Sequence, residues 1–278
     1  MIRLEAKAKI NLFLEITGRL PNGYHTISTV MQEIGLCDYV TLTNTDTADI
    51  TLTSDCDTMP LDERNIAYKC AKLFFEKAGI ENKGINIHIE KNIPMEAGLA
   101  GGSTDGAAVL KGLNEMYNDP FSLEELCVIG AKVGADIPFC ILGGTVLCEG
   151  IGEIMTPIST LPPCYILIAK GKEGVSTKWA YEQFDSMAER EIKENPMVTL
   201  LQKGDIKDIC NAMYNCFELL VPSVGEIKEV MNESGALGSM MSGSGTAVFG
   251  IFDSKEKMSL AAIKLQEKNI SVFCCDNQ

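Results

Sequence analysis

A chain of 278 residues can bury a substantial core, as one large domain or as two modest lobes. Its 46% hydrophobic and 22% charged residues describe an ordinary globular protein and exclude a largely disordered one. The formal net charge of −14 repels nucleic acid and anionic membrane surfaces, so neither is an expected partner.

An anionic small molecule can still bind such a chain where local N–H donors, a lysine and a metal ion offset the field. No stretch approaches the roughly 18 consecutive apolar residues of a membrane span. Residues 1–7 lack the apolar run of a secretory signal, and the expected compartment is the cytoplasm. Eleven cysteines are scattered from Cys37 to Cys275 without a C-x-x-C pair, and His25 and His88 are the only histidines. That spacing predicts reduced, mostly buried thiols rather than a disulfide scaffold or a mixed zinc site.

Period-2 patterning and β-branched residues predict strands over residues 10–17, 26–34, 39–43 and 49–53. Asn22-Gly23 supplies a turn between the first two. A helix starts near Asn65, with Ile66, Cys70, Leu73 and Phe74 on one face and Gly79 at its end. A strand over 85–90 leads through Asn92-Ile93-Pro94 into a glycine-rich stretch and a helix over 103–116. The next helix, over 122–133, opens with the capping-box pair Ser122 and Glu125. From residue 161 the pattern restarts with a buried strand over 164–169 and helices over 176–187, 206–213 and 224–234. A glycine-rich turn over 242–245, a strand over 247–252, a helix over 255–268 and a strand over 270–274 close the chain. Strands grouped apart from helices indicate an α+β protein, with an N-terminal lobe over 1–158 and a C-terminal lobe over 159–278.

Chemistry concentrates in Pro94-Met95-Glu96-Ala97-Gly98-Leu99-Ala100-Gly101-Gly102-Ser103-Thr104-Asp105, between a predicted strand and a predicted helix. Its glycines let backbone N–H groups converge on an anion, and the helix start adds a positive dipole end. Ser103 and Thr104 offer hydroxyls to a phosphate or a Mg²⁺ ion. The segment is not a Walker A loop, and on its own it reads equally well as a plain turn with a helix cap. Three further segments bear on it. Lys9 and Asn11 lie in the apolar run Ala8-Lys9-Ile10-Asn11-Leu12-Phe13-Leu14, where a buried ammonium needs an anionic partner. Gly134-Ala135-Asp136-Ile137-Pro138-Phe139 puts Asp136 at the end of the 122–133 helix, opposing its dipole, which makes it a candidate functional carboxylate. Gly238 to Thr246 forms a second hydroxyl-rich turn, with Gly243 and Ser244 either contacting ligand or simply joining strands.

The order of these segments resembles the GHMP kinase superfamily: a lysine strand, a P-x-x-x-G-L-[GA]-G-G-S-[ST]-[DN] loop, G-A-D-[VI]-P-F and a late G-S-G. The resemblance spans nearly the whole chain. It implies a two-lobed fold with the active site in the cleft between lobes, ATP as phosphate donor and Mg²⁺ on the ATP phosphates, with Ser103 as its protein contact. Asp136 would accept a hydroxyl proton, Lys9 would sit between that hydroxyl and the γ-phosphate, and residues 97–103 would cradle the phosphates.

The lysine strand joined to Gly18-Arg19 and Asn22-Gly23-Tyr24-His25 points to the branch whose acceptor is a cytidine-diphosphate-linked methylerythritol. There Tyr24 would stack on the pyrimidine, His25 would bond its polar edge and Asn11 would hold part of the substrate. Tyr181 would add a second aromatic wall, with Trp179 able to serve instead, and Thr177 a further substrate contact. A monomer or homodimer is expected. Two departures stand out: Glu96 occupies a position where the family has a small residue, and Thr104 replaces the usual serine. The alternatives are another kinase of the superfamily, acting on mevalonate or homoserine, and a non-catalytic nucleotide-binding regulator.

Overall fold

A computed structural model describes residues 1–81, 84–171, 174–187 and 190–277. Apolar and β-branched residues near the N-terminus form two long strands, β1 (Ile2–Arg19) and β2 (His25–Asn44). Strand β2 covers both stretches that the spacing predicts as separate strands. Its alternation of buried and half-buried residues continues through Gly35, Leu36, Cys37 and Asp38, so the breaker residues there do not interrupt it. Asp38 falls on the buried face and is tolerated because it is paired, as described below.

Both strands run through two units defined by internal contacts. The first comprises Met1–Ala8, Cys37–Met95 and Ala100–Gly143; the second comprises Lys9–Leu36, Glu96–Leu99 and the chain from Gly144 onward.

In the first unit, β3 (Ile50–Ser54) lies parallel to β4 (Ile85–Glu90), and β4 pairs antiparallel with the end of β2, Tyr39 opposite Glu90. Helix α1 (Ile66–Ala78) is capped by the Asn65 side chain, which accepts from Ala67 N–H, and ends at left-handed Gly79. Its buried Ala67, Cys70, Ala71, Phe74 and Phe75 repeat at helical spacing and pack against α2 (Gly101–Met116). Burying one ring such as Phe74 contributes about 1.5–3 kcal/mol. Helix α3 (Leu123–Ala131) carries the reciprocal Ser122–Glu125 capping box expected of its sequence. A short helix, α4 (Ile137–Leu142), follows; Pro138 is tolerated there because first-turn N–H groups have no intrahelical partner.

In the second unit, β5 (Thr145–Glu149) pairs antiparallel with the start of β2, and β6 (Ile154–Pro157) pairs with β5. After β7 (Tyr165–Lys170) come α5 (Thr177–Asp185), α6 (Met197–Lys203) and α7 (Ile206–Ala212). The short β8 (Tyr214–Asn215) lies parallel to β1, Phe13 opposite Tyr214. A 3-10 turn over Cys216–Leu220, α8 (Val224–Glu233), β9 (Gly238–Met241), β10 (Val248–Phe252), α9 (Lys255–Glu267) and β11 (Ser271–Asp276) complete the chain. Strands order β11-β7-β10-β9 in an antiparallel sheet, with α8 and α9 packed on it. Every residue of β10 is buried, and Leu167, Met231, Val248, Phe252, Ala261 and Leu265 share one core. Helix and sheet content of this kind is the α+β class expected from the sequence.

No disulfide links the eleven cysteines among the described residues, and six of them are buried. Among the described residues no helix is long and apolar enough to cross a membrane.

Candidate active site

From Ala8 to Ile16, β1 is buried at every position, and Lys9 and Asn11 are 4% and 2% exposed. The Lys9 ammonium donates to Asn11 Oδ1 at 2.7 Å, and the same oxygen accepts Gly243 N–H at 3.1 Å. Asn11 Nδ2 donates to Thr29 Oγ1 at 2.9 Å, and that hydroxyl donates to the Phe13 carbonyl at 2.6 Å. The amide of Asn11 is therefore oriented from both ends. Lys9 has no ion pair among the described residues. A buried ammonium with one neutral acceptor keeps two N–H donors available for an anion.

The glycine-rich loop is left-handed at alternate residues: φ is 52° at Glu96, 74° at Gly98 and 58° at Ala100. Such alternation turns backbone N–H groups toward a common centre, the geometry of an anion nest. Gly98 could carry no side chain, because a Cβ there would stand 2.1 Å from the Ser242 carbonyl oxygen. Ser242 Oγ donates to the Gly98 carbonyl at 2.9 Å, and Ala247 N–H to the Ala97 carbonyl at 3.3 Å, so the second glycine-rich turn pins the loop. Glu96 is exposed, its carboxylate extending toward Gly174.

Helix α2 begins with Ala100 as its cap and no side-chain cap hydrogen bond, so its first N–H groups remain available. Thr104 is buried and spends its hydroxyl on the Lys7 carbonyl at 2.7 Å. Ser103 Oγ makes no side-chain hydrogen bond among the described residues and is the hydroxyl left for a ligand. The Gly134-Ala135-Asp136 segment runs beside it: a Cβ on Gly134 would lie 3.8 Å from Ser103 Oγ.

Asp136 does not stand at the end of the preceding helix, as its sequence position suggests. Helix α3 stops at Ala131, and Asp136 caps the N-terminus of α4, where the dipole favours its charge rather than opposing it. Its carboxylate makes no cap hydrogen bond and is half-buried, which leaves both oxygens free to accept a proton.

Tyr24 is 61% exposed. His25 stacks on Tyr181 with ring centroids 4.9 Å apart, and its Nε2 lies 2.6 Å from Asp185 Oδ1. Asp185 Oδ2 also meets Arg19 at 3.1 Å, and Tyr181 meets the edge of Phe217 at 4.9 Å. Tyr181 thus backs His25, while the Tyr24 ring stays open to a ligand. Thr177 Oγ1 and Ser244 Oγ lie 3.0 Å apart, and a Cβ on Gly243 would lie 3.3 Å from Lys9 Nζ, so this turn runs from Lys9 to the start of α5.

The family described as the GHMP kinases N terminal domain matches residues 65–144, which carry α2, its loop and Asp136, and the GHMP kinases C terminal family matches residues 197–270. A "4-diphosphocytidyl-2-C-methyl-D-erythritol kinase" of Clostridium botulinum (strain Alaska E43 / Type E3) is 45% identical over 275 residues, 97% of this chain and 98% of that one. One of the same name from Caldicellulosiruptor bescii is 42% identical, covering 95% of this chain and 94% of the relative. A crystal structure of 4-(cytidine 5'-diphospho)-2C-methyl-D-erythritol kinase superposes with a TM-score of 0.83 at 28% identity, over 99% of this chain and 98% of that one. The chain belongs to the 4-diphosphocytidyl-2-C-methyl-D-erythritol kinases, a family of GHMP kinases.

Some groups around these residues carry no signal in the sequence. Asp185 and Thr29 act through partners distant along the chain. So does a buried charge group in the first unit. Lys91 Nζ bonds Asp38 and lies 3.3 Å from Asp105 Oδ2, all three side chains being nearly inaccessible. Burial, together with the nearby Asp38 charge and against the pull of Lys91, pushes the Asp105 carboxyl up to about 8. Folded Asp105 keeps its proton up to that value, whereas the unfolded carboxyl loses it near 3.8. Between the two the folded chain binds the extra proton, so this group's contribution to stability falls as pH rises through that window. Asp105→Asn removes the titration. Urea unfolding at about pH 5 and about pH 8 is expected to show a smaller alkaline loss in the variant than in the parent. Parallel losses would mean that Asp105 does not titrate in that range.

Proposed function

We propose that Lys9 and Asp136 carry out the transfer of the ATP γ-phosphate to the 2-hydroxyl of 4-diphosphocytidyl-2-C-methyl-D-erythritol, giving the 2-phosphate. This is the ATP-dependent kinase step of the non-mevalonate route to isoprenoid precursors, the activity of the family to which the chain belongs. The observation that carries the assignment is the buried Lys9 ammonium, oriented by Asn11 and left without a carboxylate partner among the described residues. Asp136 takes the hydroxyl proton, the oxygen attacks the γ-phosphorus, and the bond to ADP breaks. Lys9 stabilises the negative charge on the entering oxygen and the transferred group. The N–H groups of the loop residues Ala97 to Ser103 hold the phosphates.

Mg²⁺ fits the donor set. No group of three His, Cys, Asp or Glu side chains is assembled for a metal among the described residues, and the uncommitted Ser103 hydroxyl suits an ion held mainly by phosphates and water. Bound there, it would neutralise phosphate charge that a chain of net charge −14 cannot offset. Cysteines without disulfides and a nucleotide substrate fit the cytoplasm.

The exposed Tyr24 ring stacks on the cytosine, with His25 held ready by Tyr181 and Asp185. Stacking of a base on an aromatic ring contributes about 1–3 kcal/mol. Tyr24→Ala is therefore expected to raise the KM for the cytidylyl substrate about tenfold and to leave the KM for ATP within about twofold. Steady-state kinetics with each substrate varied in turn check this. A shift confined to ATP would reverse the assignment of the two binding regions.

A further inference from the structure

We propose that the buried Asp38–Lys91–Asp105 group is a positioning device that fixes both ends of the glycine-rich loop in the geometry ATP requires. The proposal rests on the reading that this loop holds the ATP phosphates.

At the entry to the loop, Asp38 Oδ1 accepts Asn92 N–H at 2.6 Å and Ile93 N–H at 2.8 Å, immediately before Pro94. At the exit, Asp105 lies in the second turn of α2. Lys91 Nζ bridges the Asp38 carboxylate and the Asp105 carboxyl group, bonding Asp38 and standing 3.3 Å from Asp105 Oδ2. Gly101, the first residue of α2, belongs to the same device. A Cβ there would stand 2.9 Å from Lys91 Nζ and 3.0 Å from Ile93 Cγ2, so this loop glycine makes room for the bridge.

Stability alone does not explain such a group. Buried ion pairs are often neutral against apolar replacements of similar volume, because desolvation offsets the attraction. Asp105 Oδ1 even remains without a hydrogen-bond partner. What the group achieves is a fixed relation between residues 91–93 and the first turns of α2. The intervening left-handed residues Glu96, Gly98 and Ala100 start and finish at set points. Misplacement of a catalytic geometry by about 1 Å costs on the order of 10²-fold in rate, so this constraint belongs in the kinetics rather than in folding.

The test compares the parent, Lys91→Met, and the neutral triple variant Asp38→Asn/Lys91→Met/Asp105→Asn, each as the full chain. The triple variant keeps an acceptor for the Asn92 and Ile93 N–H groups, removes the charges of the group and severs the bridge. It is expected to unfold within a few degrees of the parent, to raise the KM for ATP about tenfold or more, and to leave the KM for the cytidylyl substrate within about twofold. If Lys91→Met fails to fold, the triple variant alone carries the comparison. A triple variant with parental KM for ATP, or one that simply loses stability while the folded fraction keeps parental constants, overturns the proposal. Ser103→Ala, which removes the loop's uncommitted hydroxyl without a steric clash, run in parallel separates the two readings. If it raises the KM for ATP while the triple variant does not, the loop holds ATP and the positioning role fails. If both variants raise only the constant for the cytidylyl substrate, the assignment of the loop to ATP fails instead.

Discussion

Asp136→Asn is expected to lower kcat by about 10²–10⁴-fold while leaving both KM values within about threefold. The substitution keeps the shape of the side chain and its place at the start of α4. It removes only the capacity to take a proton. Because the carboxylate makes no cap hydrogen bond, no fold contact is lost, and the unfolding midpoint should stay near that of the parent. Near-parental turnover would remove Asp136 from the mechanism. A large rise in either KM would make it a binding residue instead.

Lys9→Met carries the second large effect, a loss of about 10²–10³-fold in kcat, comparable to removing one preorganised charge-stabilising donor. Methionine matches the aliphatic stem in length and keeps the strand packed. The parent buries an ammonium whose one bonded partner is the neutral Asn11 oxygen, so removing the charge is expected to hold or raise thermal stability. Calorimetry beside steady-state kinetics reads both quantities. A protein that loses stability in proportion to its activity would make Lys9 a structural residue.

The contrast between Lys9 and Lys91 shows what could be read from the sequence. Lys9 is conspicuous because it interrupts an apolar run, and the structure buries it as expected. Lys91 sits at the end of an ordinary alternating strand, and its two partners lie 53 residues before it and 14 after it. No local pattern marks such a trio. Local devices were legible for the same reason: the Asn65 cap, the left-handed Gly79 and the Ser122–Glu125 box each involve residues within a few positions of one another.

Elements whose form depends on distant partners were not legible. Residues 26–44 make one strand because Asp38 is neutralised from Lys91, a contact invisible to periodicity. The six-residue α4 reads as a plain apolar run, and missing it also misplaces Asp136 with respect to the helix dipole. The aromatic residues behave similarly. Tyr24, His25 and Tyr181 are all identifiable in the sequence, but only the packing shows that Tyr181 and Asp185 hold His25 and that Tyr24 is left open. Thr104 likewise looks interchangeable with Ser103 until the Lys7 carbonyl is seen to use its hydroxyl.

The most direct measurement is ATP-dependent phosphorylation of 4-diphosphocytidyl-2-C-methyl-D-erythritol, compared under one set of conditions with mevalonate, homoserine and the acceptor lacking its cytidylyl group. Turnover to the 2-phosphate, with ADP released in equal amount and little or none with the other alcohols, is the predicted result. Faster turnover of mevalonate or homoserine, or ATP hydrolysis without phosphorylation of the cytidylyl substrate, would contradict it.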